Sequence, residues 1–118
     1  MQLLGVHHVS INVPDVDAAL RFYTEVLGCQ ARTDRPDFGF GGAWLDVGGQ
    51  QVHLIEGVTP DAKGQHFAVQ VPSMAEAIAE LRARGITVSD AIPVAANLQA
   101  FLEDPAGNAI ELHEVGGA

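Results

Sequence analysis

The strongest constraint on this fold is an internal repeat, in which the two halves of the chain match at an offset of 58 residues. The stretch His8-Val-Ser-Ile-Asn-Val-Pro14 aligns with His66-Phe-Ala-Val-Gln-Val-Pro72, and residues 52–56 align with residues 110–114. Two further pairs match at the same offset, namely Asp46 with Asp104 and Gly49 with Gly107. An internal repeat of this length indicates two structural units with the same order of helices and strands. The chain is therefore predicted to form two such modules. They cover about residues 5–57 and 64–115 and are joined by the turn-rich segment 57–64.

The first module begins with alternating apolar and polar residues, which indicates a half-buried strand. Val9, Ile11 and Val13 are predicted to point to one face, and the polar residues between them to the other. Apolar residues then recur at helical spacing. Asp15 can cap this helix, which is predicted to end at Gly28.

The second module repeats this plan, with alternation from Phe67, a capping box at Ser73-Met-Ala-Glu76 and a helix end at Gly85. After each helix the apolar period returns to two, which predicts three short strands. They are residues 30–32, 43–47 and 51–56 in the first module, and 87–92, 99–103 and 109–114 in the second. Each module is therefore predicted as β-α-β-β-β, and the fold class as α+β. The helix covers one face of each sheet and leaves the other face open.

Four side chains on the open faces form two equivalent pairs. Strand parity places His53 on the same side as His8, and Glu111 on the same side as His66. If the first and last strands of a module are neighbours, the two members of each pair lie side by side. Bringing the two faces together would converge three imidazoles and one carboxylate on one point.

This donor set suits a divalent transition-metal ion. Neutral imidazole and carboxylate favour Zn, Ni, Mn, Co or Fe, and the absence of thiolates disfavours a closed structural zinc site. Open positions on the ion could hold two adjacent oxygens of a substrate, so that the metal acts as a Lewis acid. The simpler alternative is a solvent-exposed sheet face whose polar side chains bind no metal. His7 and His113 are interpreted as surface residues in this way. The symmetric placement of the two pairs favours the metal.

Four motifs carry a family resemblance that spans almost the whole chain. They are His8-Val-Ser-Ile-Asn-Val-Pro-Asp15, Arg21-Phe-Tyr-Thr-Glu-Val-Leu-Gly28, His66-Phe-Ala-Val-Gln-Val and Asp104-Pro-Ala-Gly-Asn-Ala-Ile-Glu111-Leu. Together they resemble the glyoxalase/bleomycin-resistance/dioxygenase group of the vicinal oxygen chelate (VOC) superfamily. The resemblance implies one domain over residues 1–118, with paired βαβββ modules forming a cupped mixed sheet, and a homodimer. It also implies a divalent metal ion, whose ligands map onto His8, His53, His66 and Glu111. The two modules that enclose one site come either from one chain or from two.

The same resemblance suggests a metal-dependent, glyoxalase-like lyase or isomerase that acts on a small substrate, for which a thiol conjugate is one candidate. Glyoxalase I is the nearest activity by size and four-ligand layout, but His53 stands where that family places a metal-bound glutamate. Glu111 is therefore interpreted as ligand and general base, and His53 as a second group that can carry a proton. Two alternatives stay open. One is an extradiol-type dioxygenase, because two histidines and a carboxylate also serve iron oxygenases. The other is an antibiotic-binding resistance protein without turnover.

Further residues are candidates for contacting substrate. The segment 35–44 is rich in glycine and holds three aromatic residues, so it predicts either an apolar pocket wall or a packed loop with Trp44 in the core. Four polar residues share the parity of the ligands, namely Ser10, Asn12, Gln70 and Gln99. Phe22 and Tyr23 have helical core spacing, and Cys29 is predicted to be inert.

The charge balance limits the partners. The chain has 6 Lys and Arg against 15 Asp and Glu, a net charge of −9, which repels phosphate backbones and anionic membranes. A small molecule is therefore predicted as the partner, with neither nucleic acid nor membrane. The N-terminal stretch has no basic leader, no segment reaches the ~20 apolar residues of a membrane span, and the single cysteine suits a reducing compartment. These features predict a cytoplasmic protein.

Overall fold

The computed structural model describes residues 1–118 and divides into two compact units, Met1–Pro60 and Asp61–Ala118. The boundary between the units falls within the turn-rich segment 57–64. The elements of the first unit are β1 (His8–Val13), α1 (Val16–Arg21), a π-helical segment (Phe22–Val26), β2 (Gln30–Ala31), β3 (Gly42–Val47) and β4 (Gln50–Glu56). Those of the second are β5 (Phe67–Gln70), α2 (Met74–Ala83), β6 (Ile92–Val94), β7 (Asn97–Glu103) and β8 (Ala109–Glu114).

Each unit contains one four-stranded mixed sheet, and the two sheets have the same topology. The strand order is β1-β4-β3-β2 in the first unit and β5-β8-β7-β6 in the second. The first and last strands pair in parallel, and the remaining pairs are antiparallel. The predicted α+β class and the neighbouring first and last strands are therefore confirmed.

One face of each sheet carries the core beneath a helix. In the first unit Leu45 and Leu54 are buried together with Phe22 and Tyr23, as the helical spacing predicts. In the second unit the buried residues include Met74 and Leu81 from α2 and Ile110 and Leu112 from β8. Alternation along the strands leaves the opposite face of each sheet to the polar residues.

The first helix differs from the unbroken helix predicted to end at Gly28. The α-helical part ends at Arg21, and the Leu27 N–H then donates to the Phe22 carbonyl at 3.1 Å, a bond that spans five residues. A π turn of this kind inserts one extra residue and shifts the side chains that follow. The caps are as predicted, because Asp15 accepts from the Ala18 N–H and Ser73 from the Glu76 N–H. Neither α-helix is long and apolar enough to cross a bilayer.

One strand prediction in the second unit is wrong. The strand expected over residues 87–92 is instead β6, and Val88 forms only an isolated bridge with Leu102. The ladder breaks there because the Ser89 hydroxyl, not a backbone carbonyl, accepts from the Phe101 N–H at 2.8 Å.

The match of Asp46 with Asp104 is also wrong in structural terms. Asp46 lies within β3, whereas Asp104 follows β7 in a turn, where it accepts from the N–H groups of Ala106 and Asn108. The hairpin loop of the second unit, residues 104–108, is longer than the Gly48-Gly49 loop of the first. The offset of 58 residues therefore fails for the strand before each hairpin.

Candidate functional site

The first pair of predicted ligands, His8 and His53, lies side by side in the first unit. Their rings stack at 3.9 Å between centroids and 13° between planes. Trp44, directly opposite His53 in the antiparallel register, stacks on His53 at 4.5 Å and 12°. His53 is only 8% exposed. The three rings form a continuous column on the open face of the sheet.

Hydrogen bonds set the orientation of both imidazoles. The Nδ1 atoms of His7 and His8 lie 2.9 Å apart, so one of them donates to the other. His53 Nε2 lies 2.8 Å from the Gln51 side-chain oxygen, to which it donates. Burial lowers the pKa of His53 below its ordinary value, and the charges of His8, His7 and two arginines act in the same direction. His53 is therefore neutral at neutral pH, the state in which imidazole binds a metal.

The second pair, His66 and Glu111, lies side by side in the second unit. His66 Nε2 is 3.1 Å from Glu111 Oε1, and His66 Nδ1 donates to the Gly64 carbonyl at 2.9 Å. Glu111 is 7% exposed, and its Oε2 accepts from His113 Nδ1 at 2.8 Å. The Gly64 carbonyl and the Glu111 carboxylate raise the pKa of His66. One buried carboxylate is thus held between two imidazoles.

The donor chemistry of these residues fits a divalent ion. Since His66 Nδ1–H is committed to Gly64, the lone pair of Nε2 points toward Glu111 Oε1, and these two acceptors need a cation between them, either a proton or a metal. Ligand histidines in metal sites typically donate their other N–H to a carbonyl or carboxylate in this way. Neither unit by itself arranges three or more His, Cys, Asp or Glu side chains to hold a metal.

A pocket of about 540 Å³ opens beside the histidines of the first unit. Trp44, Phe38 and Phe40 contribute to its wall, together with Arg32 and Arg35. Trp44 lies half-buried on the open face and not in the core, so of the two predictions for segment 35–44 the pocket wall is confirmed.

The strand register places the four polar candidates on the open faces. Ser10 lies beside His53 and Asn12 beside Ile55, while Gln70 and Gln99 flank His113 from either side. Cys29 is half-buried, and burial raises the pKa of its thiol.

Two contacts in the site were missed at the level of sequence. His113 was interpreted as a surface residue, but it donates to Glu111, and its position two residues further along the same strand face could have indicated this contact. The stacking of Trp44 on His53 depends on the pairing of β3 with β4. No local pattern predicts that pairing register.

Comparisons with known proteins extend over nearly the whole chain. The chain is 30% identical to a lactoylglutathione lyase of Salmonella typhimurium, over 94% of this chain and 93% of the relative. It is 32% identical, over 92% of its length, to an Arabidopsis thaliana protein named "Probable lactoylglutathione lyase, chloroplastic", of which it spans only 35%.

Solved structures agree on the fold. A glyoxalase family protein of Bacillus anthracis matches with a TM-score of 0.87 and 29% identity over 98% of both chains. An antibiotic binding protein of a Streptomyces species matches with a TM-score of 0.84 and 23% identity, again over 98% of both chains. The sequence profile of the Glyoxalase/Bleomycin resistance protein/Dioxygenase superfamily matches residues 5–112. The chain therefore belongs to this superfamily.

Proposed function

We propose that the protein is a metal-dependent enzyme of the lyase or isomerase type, acting on a small substrate with two adjacent oxygen atoms. The observation that carries this proposal is the buried carboxylate of Glu111, which is held between His66 and His113. Both partners of this carboxylate are titratable imidazoles, and the pKa of one of them, His66, is raised; clusters of this kind are concentrated at functional sites. The 30% identity to a lactoylglutathione lyase along the chain supports the same class of reaction.

The proposed metal ligands are His8, His53, His66 and Glu111. Binding of one ion by all four requires a pair from each unit, drawn from one chain or from two. When bound, the ion would supply Lewis-acid polarisation of the substrate oxygens, and Zn, Ni, Mn, Co and Fe all suit this donor set. We further propose that the protein works as a homodimer in the cytoplasm.

The residues of the chain supply the proton transfer. Glu111 is the proposed ligand and general base: His113 holds Oε2, and Oε1, on the side of His66, is the oxygen that would serve the two roles in turn. It takes a proton from one substrate carbon at Oε1 and returns it to the adjacent carbon. His53, kept neutral by its lowered pKa, is the second group that can accept and release a proton.

Metal analysis followed by a substrate panel tests this proposal. Protein purified without chelators is expected to carry close to one divalent ion per set of four proposed ligands, and to convert a glutathione hemithioacetal with nickel or zinc. A protein that retains none of the five candidate ions, after exposure to each, contradicts the proposal.

A second candidate function is binding of a small molecule without turnover. The aromatic wall of the pocket favours it, because exposed rings beside a cavity of about 540 Å³ are suited to hold a ligand. Tight ligand binding without conversion of any hemithioacetal would support this candidate. Oxygen uptake with catechols and iron(II) would instead indicate a dioxygenase.

A further inference from the structure

Two arginines contribute to the pocket of the first unit, and they differ in their partners. Arg32 forms ion pairs with Asp34 at 2.7 Å and with Asp46 at 2.9 Å, which neutralise its charge. Arg35 has no carboxylate within 4.0 Å. Of the five arginines in this chain of net charge −9, only Arg21 and Arg35 have no acidic partner, and of these two only Arg35 lines the pocket. Arg35 therefore offers a positive charge, not neutralised within the protein, to an anionic group that enters the pocket.

The guanidinium of Arg35 is held in place without being neutralised. Its Cζ lies 5.1 Å from the centroid of Phe38 and 5.6 Å from that of Phe40, and Nη2 donates to the Phe40 carbonyl at 3.0 Å. Gly42 lies close to it in the neighbouring strand, where a methyl group would meet first the Leu54 backbone oxygen and then Arg35 Nη2 at 2.8 Å. The arginine is thus half-buried and oriented, and four of its five N–H donors have no acceptor in the protein.

The rings around Arg35 offer apolar surface to the same space. Phe38 and Phe40 lie nearly parallel, 5.6 Å apart, and each is 49% exposed. Trp44 is half-buried, with its centroid 6.2 Å from that of Phe38. Aromatic faces beside a guanidinium with free donors recognise a flat ring and an anion together.

We infer that this pocket binds the body of a planar aromatic carboxylate, with Arg35 pairing with the carboxylate and Phe38, Phe40 and Trp44 packing on the ring. The inference rests on the proposed function in that it names the class of substrate which the same site takes. A purely aliphatic anion would leave the exposed rings uncovered. An uncharged aromatic ligand would leave the free N–H donors of Arg35 hydrogen-bonded only to water.

The test measures binding to the full chain by NMR with the metal removed by EDTA, so that no ion contributes. Trp44 is the single tryptophan, and its indole N–H gives one cross-peak that reports on the pocket directly. The probes are phenylacetate, its uncharged isostere phenylacetamide, and cyclohexylacetate, which keeps the charge without the aromatic ring. Phenylacetate is expected to bind about tenfold more tightly than phenylacetamide, because it alone offers a charge-assisted bond to Arg35. It is expected to bind about fivefold more tightly than cyclohexylacetate, which cannot stack.

Matched variants test which side chains cause the preference for phenylacetate. Arg35→Gln should remove the preference for phenylacetate over phenylacetamide, whereas Arg84→Gln, which removes the same charge from the exposed end of α2, should leave it unchanged. Phe38→Leu combined with Phe40→Leu should reduce the preference over cyclohexylacetate. Far-ultraviolet circular dichroism checks that each variant folds. Equal binding of all three probes, or an unchanged preference in folded Arg35→Gln, overturns the inference.

The result is separable from the proposed function. If no divalent ion is bound but the phenylacetate preference holds and depends on Arg35, the proposed function fails and the inference stands. If the ion is bound and hemithioacetals are converted while the three probes bind alike, the inference fails alone. If the Arg35 and Phe variants alter the sedimentation of the protein but not the binding of the probes, a second copy of the chain covers Phe38 and Phe40. This result also overturns the inference.

Discussion

His53 in the first unit and Glu111 in the second occupy the same position in the same topology, yet their surroundings differ. His53 stacks between His8 and Trp44 in a column of rings, with one hydrogen bond to Gln51. Glu111 lies between two imidazoles that hydrogen-bond both of its oxygens. The first half-site is therefore aromatic and the second is ionic.

The two halves of the repeat therefore share the placement of these residues but not their chemistry. In both units a parallel first strand and an antiparallel third strand flank the last strand, so the sheet places the residue on the open face in the same way. The neighbours across the strands then decide the role. A buried neutral imidazole can bind a metal ion or transfer a proton, whereas a buried carboxylate can also carry a negative charge.

The largest expected effect comes from removing the charge of the ionic half-site. Glu111→Gln keeps the shape but loses the carboxylate, so turnover should fall by about 10²- to 10⁴-fold, the usual contribution of a general base. Metal content should fall with it, measured by elemental analysis alongside the rate. Glu103→Gln removes the same charge from an exposed position on β7 and should change neither value. Unchanged metal content in Glu111→Gln would count against the ligand assignment.

Truncation of a core residue should lower stability equally in the two units, in contrast to the different effects expected on the open faces. Leu54 and Leu112 are one repeat apart and 1% and 2% exposed, so truncation of either to Ala leaves a cavity beneath its sheet. Each substitution should lower the free energy of unfolding by about 2–4 kcal/mol, as measured by urea denaturation. If one costs several times more than the other, the two units do not contribute equally to stability.

The orientation of Glu111 is expected to depend on His113. His113→Leu removes the donor to Oε2, which should weaken metal binding by about tenfold or more. His113→Asn keeps an N–H donor near the same position and should recover part of the loss. The metal dissociation constant is the measurement, and equal affinity of the Leu and Asn variants would refute a positioning role.

The smallest effect lies outside both half-sites, at Cys29. Burial disfavours its thiolate and raises its pKa above the ordinary value of 9.0. Alkylation by iodoacetamide should therefore be slower than that of glutathione at pH 8, and its rate should still be rising above pH 9.0. Mass spectrometry over a pH series measures this. Rapid alkylation at neutral pH would show that the thiol is activated.

Much of the fold could be predicted because its determinants are local. Alternation predicted β1 and β5, and the caps Asp15 and Ser73 begin the two α-helices as expected. The open-face positions of His53 and Glu111 could also be predicted, since strand parity and the repeat place them there. The π turn after Arg21 could not be predicted, because the same apolar spacing also describes an unbroken α-helix.

Periodicity and capping act over a few residues, so the amino-acid sequence was sufficient to predict the duplicated βαβββ plan and the faces of the strands. The placement of His8 beside His53 and of His66 beside Glu111 required in addition that the first and last strands of each module pair. Three features emerge only once the chain is folded: Trp44 stacks on His53, His113 donates to Glu111, and Arg35 has no acidic partner. These contacts depend on strand register and loop path, and a shift of one residue in a hairpin changes which side chains meet.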